Sequence, residues 1–339
     1  GGSLQSDGIV DVGNTAFAVA DGELVVADGG ELVVDGGDHR FGSLRLQPGS
    51  IFDFRSGSLN VAGGTLGITT DNFAYGSSNG LSTIDFSDGG VGEVVEFWRV
   101  GDLANTAGKT IVRDPGSRLA NLAGGANADI FVGSSGDGFM EVLDGGLVDS
   151  NDDITLGERS GSLGSALVRG KVDGQRASLI AGDAIGNVLI VGLQGDGDLT
   201  VADGGLASAG DDVLVAWTGL GTGLVTVSGA AGDGTKATLS AGEDLLIGAN
   251  EGAPIVDRGV GVVRILGGGE VDVNDLTLVG PTDQILLQGG TLRTGRLDLA
   301  GDPTRLDWQA GVLELDQSGL VIHQPGTLGE TLTLATDMS

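Results

Sequence analysis

The chain has 339 residues, 66 of them glycine and none cysteine, with 40% apolar residues and a mean hydropathy of +0.18. That apolar content excludes a disordered chain, six prolines exclude collagen and proline-rich linkers, and the lack of thiols excludes disulfide staples and thiolate metal sites. A net charge of −30 repels nucleic-acid phosphates and anionic membranes, and no apolar run reaches the ~20 residues that cross a bilayer as a helix.

Val, Leu and Ile dominate the apolar residues, while aromatics make up only 4%. With glycine so frequent, this mixture predicts short β-strands broken by turns. The first strand-and-turn unit is at 24–30, Leu-Val-Val-Ala-Asp-Gly-Gly. A shortened copy stands at 59–64, and further copies at 140–146, 199–205 and 263–269. The first and third positions are always apolar, as in Leu24 and Val26 or Leu199 and Val201. The second is Val, Asn, Glu, Thr or Arg. This is the period-two pattern of a strand with one buried face. The Asp-Gly-Gly that follows is a turn, where glycine takes positive φ without steric cost.

Between the first two copies, Pro48 and Gly49 mark another turn. Residues 50–100 then hold most of the aromatics: Phe52, Phe54, Phe73, Tyr75, Phe86, Phe97 and Trp98. They read either as larger inward residues or as a surface excursion. A longer period follows, in which Val132-Gly133, Val191-Gly192 and Ile247-Gly248 each end a short apolar run, 59 and then 56 residues apart. Strands of three to five residues therefore arrive every 10–15 residues, with no helix pattern between them.

That spacing predicts an all-β fold, a parallel β-helix of two or three faces. Windings of about 20 residues, each rising about 4.8 Å, would give roughly 17 windings and a rod on the order of 80 Å. Residues 1–339 read as one continuous solenoid, less regular and more aromatic at about 50–120 and most regular at about 130–280. Near the end, Pro325 and Gly326 repeat the earlier turn, and residues 330–336 alternate as a strand. With no cap following, that end is a pairing template.

The stretch from Leu189 to Gly205, Leu-Ile-Val-Gly-Leu-Gln-Gly-Asp-Gly-Asp-Leu-Thr-Val-Ala-Asp-Gly-Gly, resembles the passenger repeats of bacterial autotransporter-type adhesins and related exported β-helix proteins. The likeness is clearest over 130–280. It implies a right-handed β-helix on the outside of a bacterial cell.

Such solenoids can also carry enzymes, so catalytic carboxylates need testing. The acid pairs Asp152-Asp153, Asp211-Asp212 and Glu243-Asp244 each stand just before a strand, at equivalent points of the repeat. A catalytic pair occurs once, so a recurring pair reads as a recurring corner that is solvated or binds a cation. The two histidines, His39 and His323, lie near opposite ends and read as surface or capping residues. Residues 124–131, Gly-Gly-Ala-Asn-Ala-Asp-Ile-Phe, resemble a single calcium-binding nonapeptide with Asn127 in place of glycine. The Gly-Asp-Gly turns at Asp137 and Asp196 offer oxygen ligands of the same kind. Trp98, Trp217 and Trp308 are too scattered for one stacking platform, although Trp217 facing outward could form part of a sugar groove.

No residue is therefore assigned a catalytic, cofactor or metal role, and weakly bound Ca²⁺ is the one ion expected. The expected function is a non-catalytic structural or adhesive protein, assembling with itself end to end or by strand donation and meeting surface glycans or other cells. The alternatives are a polysaccharide-degrading β-helix enzyme, with a unique carboxylate cluster near 50–120, and a calcium-dependent glycan-binding module.

Overall fold

The computed structural model describes residues 3–6, 9–12, 17–69, 72–121, 128–219, 221–249 and 259–316. Almost every strand in it joins a single sheet of parallel strands, coiled into a β-helix with three faces. One central winding illustrates the pattern. Asp196–Ala202 forms a long face, Leu206–Ala209 a middle face and Val213–Val215 a short face, and Thr222–Ser228 then begins the next winding. On the first two faces burial alternates residue by residue, as the period-two reading requires.

Register across windings is strict. The inward middle-face position runs Leu24, Leu44, Leu66, Gly92, Leu119, Val148, Leu179, Ala207, Leu239, Val271, Leu292 and Leu313. Leu4 pairs with Leu24 at its start, so the ladder has thirteen windings among the described residues. It forms one continuous apolar column, fully buried at most positions. A winding alone could not bury this surface, so stability comes from stacking neighbours.

The winding length corrects the expected one. Successive partners are 20–22 residues apart near both ends and 26–32 in the middle. The extra residues are corner excursions, among them the antiparallel hairpin of Lys171–Val172 with Gln175–Arg176. Among the described residues, the twelve rises of about 4.8 Å between thirteen windings span about 58 Å, and windings this long give a rod shorter than the expected 80 Å.

The aromatic stretch points mostly inward. Phe73, Trp98, Ile130, Ile154 and Leu189 occupy one short-face column, so aromatics give way to aliphatics along a single line. Phe52 stacks on Phe73 at 5.3 Å, and Phe73 lies 4.7 Å from Trp98 between ring centroids. Phe97 is the outward member, packing beside Phe131 with the Arg99 guanidinium 4.0 Å above the Phe131 ring.

Two other expectations are revised. Asp137 and Asp196 open strands instead of sitting in turns, because parallel pairing with Leu163 and Thr222 extends the long face to include them. His39 is not a surface residue. It is 1% exposed, pairs in register with Leu59, and holds its Nε2 2.6 Å from the Gly36 carbonyl oxygen. His323, residues 324–327 and 330–336, and residues 124–127 of the calcium-like nonapeptide lie outside the described residues.

Candidate functional site: the acidic corner

The three acid pairs come together at the corner between the middle and short faces, on successive windings interrupted once by Asn187 and Val188. One member of each pair turns toward the backbone. The Asp153 N–H donates to Asp129 Oδ1 (3.2 Å) and the Val188 N–H to Asp153 Oδ1 (2.8 Å). Likewise the Asp244 N–H donates to Asp212 Oδ1 (3.0 Å) and the Leu276 N–H to Asp244 Oδ1 (2.9 Å). The ladder of backbone bonds is broken at this bend, and a carboxylate from one winding accepts the N–H that the next would leave bare. Asp is suited to this because its short side chain reaches neighbouring backbone without displacing it.

The outer members face water. Asp211 accepts from the Gly186 N–H (3.0 Å), and one winding beyond Glu243, outside the three pairs, Asp275 is held by Arg296 through a forked pair of bonds (3.0 and 2.8 Å). Two groups of three carboxylates result, Asp129 with Asp152 and Asp153, and Asp211 with Asp212 and Glu243. Within each, oxygens lie within 4.8 Å of one another.

Electrostatics at the corner follow from crowding. Burial pushes the Asp129 carboxyl up to about 6, with the neighbouring Asp153 and Asp152 charges adding to the rise. Burial also raises Asp153. Glu243 is raised by its hydrogen bond and charge repulsion with Asp211. A carboxyl titrating near 6 beside two others has the form of an acid–base pair. Here, however, a second group of three carboxylates stands at the same corner, and inner oxygens of both groups are engaged by backbone N–H groups. Both groups lie outside 50–120, where a unique cluster was expected.

The raised values set a direction of pH dependence. A carboxyl whose folded pKa exceeds its unfolded value of 3.8 binds more protons in the folded state. Its ionisation therefore removes stability as pH rises from about 4 through about 6. Melting temperature should climb when pH is lowered from 7.5 to 5, and Asp129→Asn should flatten that slope. A wild-type curve that falls over this range would contradict the assignment. Separately, Asp153→Ala should cost about 1–3 kcal/mol by baring the Val188 N–H. Asp153→Asn, which keeps an acceptor, should cost much less in thermal melts.

The tryptophans make no stacking platform. Trp98 is fully buried, and Trp308 packs against the main core. Trp217 leans on a small apolar cluster outside the short face, built from Ile190, Leu214, Leu246 and Leu278. One feature escaped the sequence reading, a trough of about 370 Å³ on the outer middle face, with Gly67 in its lining between Arg45 and Glu93. Its only signal is a glycine inside the strand Thr65–Ile68.

No family model matches the chain, and no curated protein or solved structure compared with it is similar to it.

Proposed function

We propose that the chain is a non-catalytic structural or adhesive protein of a bacterial cell surface. The observation that carries this reading is that the recurring acids at the corner hold one winding to the next. Four corner carboxylates among the described residues, Asp129, Asp153, Asp212 and Asp244, are thus committed to backbone N–H groups of the next winding. The strict register across thirteen windings supports a rod that separates or displays other elements. The resemblance of residues 130–280 to autotransporter passengers supports the extracellular setting. The high negative charge suits a surface protein that must stay soluble and avoid lateral clumping.

The uniform parallel pairing also supports assembly of copies end to end, since the same ladder can continue from one copy into the next. Electron micrographs of purified chain should show stiff rods that join at their ends as concentration rises. Single rods at every concentration would remove the filament half of the reading. Release of reducing sugar from neutral and acidic polysaccharides, lost in Asp129→Asn, would replace the whole reading with an enzyme.

A further inference from the structure

We propose that the trough around Gly67 is a saccharide-binding site. The argument begins with the glycine. In the middle of a strand glycine forfeits strand propensity and costs conformational entropy, so its presence calls for a reason. Gly67 is not among the residues with positive φ. Nor is it required by packing, because a Cβ added there would meet only Arg45 Cγ, at an ordinary 3.9 Å. What the missing side chain does is open a gap in the outer face, the situation in which a strand glycine lets a ligand approach the backbone closely.

Arg45, Gly67 and Glu93 are in-register partners on three consecutive windings. Arg45 and Glu93 therefore stand about 10 Å apart across the gap. One wall is the Arg45–Glu23 ion pair, at 2.7 Å. The other is Glu93, whose side chain makes no ion pair or hydrogen bond among the described residues and is partly sheltered. Hydroxyls of Thr65 and Thr69 line the same hollow.

The lining thus mixes donors on Arg45 with acceptors on Glu23 and Glu93, with the Thr65 hydroxyl, which can do both, and with the Thr69 hydroxyl, which donates to the Leu46 carbonyl (2.9 Å) and is left as an acceptor. A ring bearing adjacent hydroxyl groups matches that mixture, each hydroxyl donating to a carboxylate while accepting from guanidinium or threonine. A simple amine would find Glu93 but would be opposed by Arg45. The larger hollow of about 420 Å³ near Arg118 and Arg176 lacks this freedom. Arg118 is bound to Asp149 there, and Arg176 to the carbonyls of Gly204, Gly205 and Lys236.

The proposal deepens the adhesive part of the reading above and rests on it only for biological setting. Its test uses soluble chain and is independent of rod assembly. Cellotetraose, chitotetraose, mannotetraose and maltotetraose are titrated by calorimetry, with spermidine as the cationic alternative. At least one tetrasaccharide should bind at millimolar concentration or better. Glu93→Gln should weaken it tenfold or more, and Gly67→Val should abolish it. Gly67→Val adds a β-branched residue where space exists, so its melting temperature should hold or rise. Loss of binding with an intact melt separates a filled site from a damaged fold. No binding by any of the four sugars, equal binding by Gly67→Val, or binding of spermidine alone would each overturn the proposal.

Discussion

Replacing Gly164 with alanine should lower the stability of the chain by about 3 kcal/mol or more, the upper range for forcing atoms into a packed interior. Gly164 sits at the inward start of the long face, in register with Gly138 and Gly197 on the windings either side. A Cβ there would fall 2.1 Å from the Val132 carbonyl oxygen and 2.2 Å from the Gly157 nitrogen. Both obstacles are backbone, so relief requires moving a winding, not a side-chain rotamer. Gly223 and Gly261 continue the column, so the short and long faces meet along a line of backbone held close by glycine. Gly232→Ala is the control, since its Cβ would meet nothing within 4 Å. Thermal melts should show a large drop for the first variant and almost none for the second. A Gly164→Ala protein that melts like wild type would mean the faces are not packed this closely.

The second large effect is expected at Thr110, a buried hydroxyl among aromatic rings. Trp98 Nε1–H donates to Thr110 Oγ1 at 3.0 Å, and the Tyr75 hydroxyl shares a 2.5 Å bond with the same oxygen. Burial pushes the Tyr75 phenol well above its ordinary range, so the ring stays neutral in the core. Thr110→Val keeps the shape and strand preference but leaves an indole N–H and a phenol O–H without that partner. Each buried polar group stranded in this way costs about 1–3 kcal/mol, giving about 2–6 kcal/mol for the pair. Thr110→Ser keeps the oxygen and should recover much of the loss. Equal melting of the Val and Ser variants would show that the hydroxyl does not hold this aromatic cluster together.

The fold was legible in the sequence wherever a local rule generated it. Alternation at Leu24 and Val26, or Leu199 and Val201, marks an inward face. The Asp-Gly-Gly after each marks a corner, and repetition of both implies stacking. Winding length was not legible, because excursions such as Lys171–Arg176 follow no period and lengthen a winding without changing its strands. His39 was misplaced for a related reason: a polar residue on the inward parity of a strand is identified only once register is known, and here Leu59 supplies it.

The acidic corner was half legible. Recurrence of Asp152-Asp153, Asp211-Asp212 and Glu243-Asp244 told of one place in the repeat. Which acid of each pair accepts the next winding's N–H depends on the bend of the corner, which no local pattern encodes. The trough was not legible, because Arg45, Gly67 and Glu93 are distant in sequence and meet only through pairing of separate windings.

In-register parallel winding is the claim on which the rest depends, and a chain without cysteine allows it to be tested by crosslinking. Outward register partners on the three faces are Thr200 with Thr226, Ile180 with Ser208, and Ile190 with Leu214. Their Cα atoms should lie about 4.8 Å apart, inside the range a disulfide spans. Cysteine pairs at each should close on mild oxidation into an intramolecular disulfide, with the melting temperature preserved for the first two pairs and lowered for Ile190 with Leu214, which are buried in the small cluster outside the short face. The offset pair Thr200 with Leu224 should stay open, since two residues along the strand carry the Cα atoms to about 8 Å. Closure of all three matched pairs, with the offset pair reduced, is the result predicted. Failure of the matched pairs, or equal closure of the offset one, would contradict the stacked winding itself.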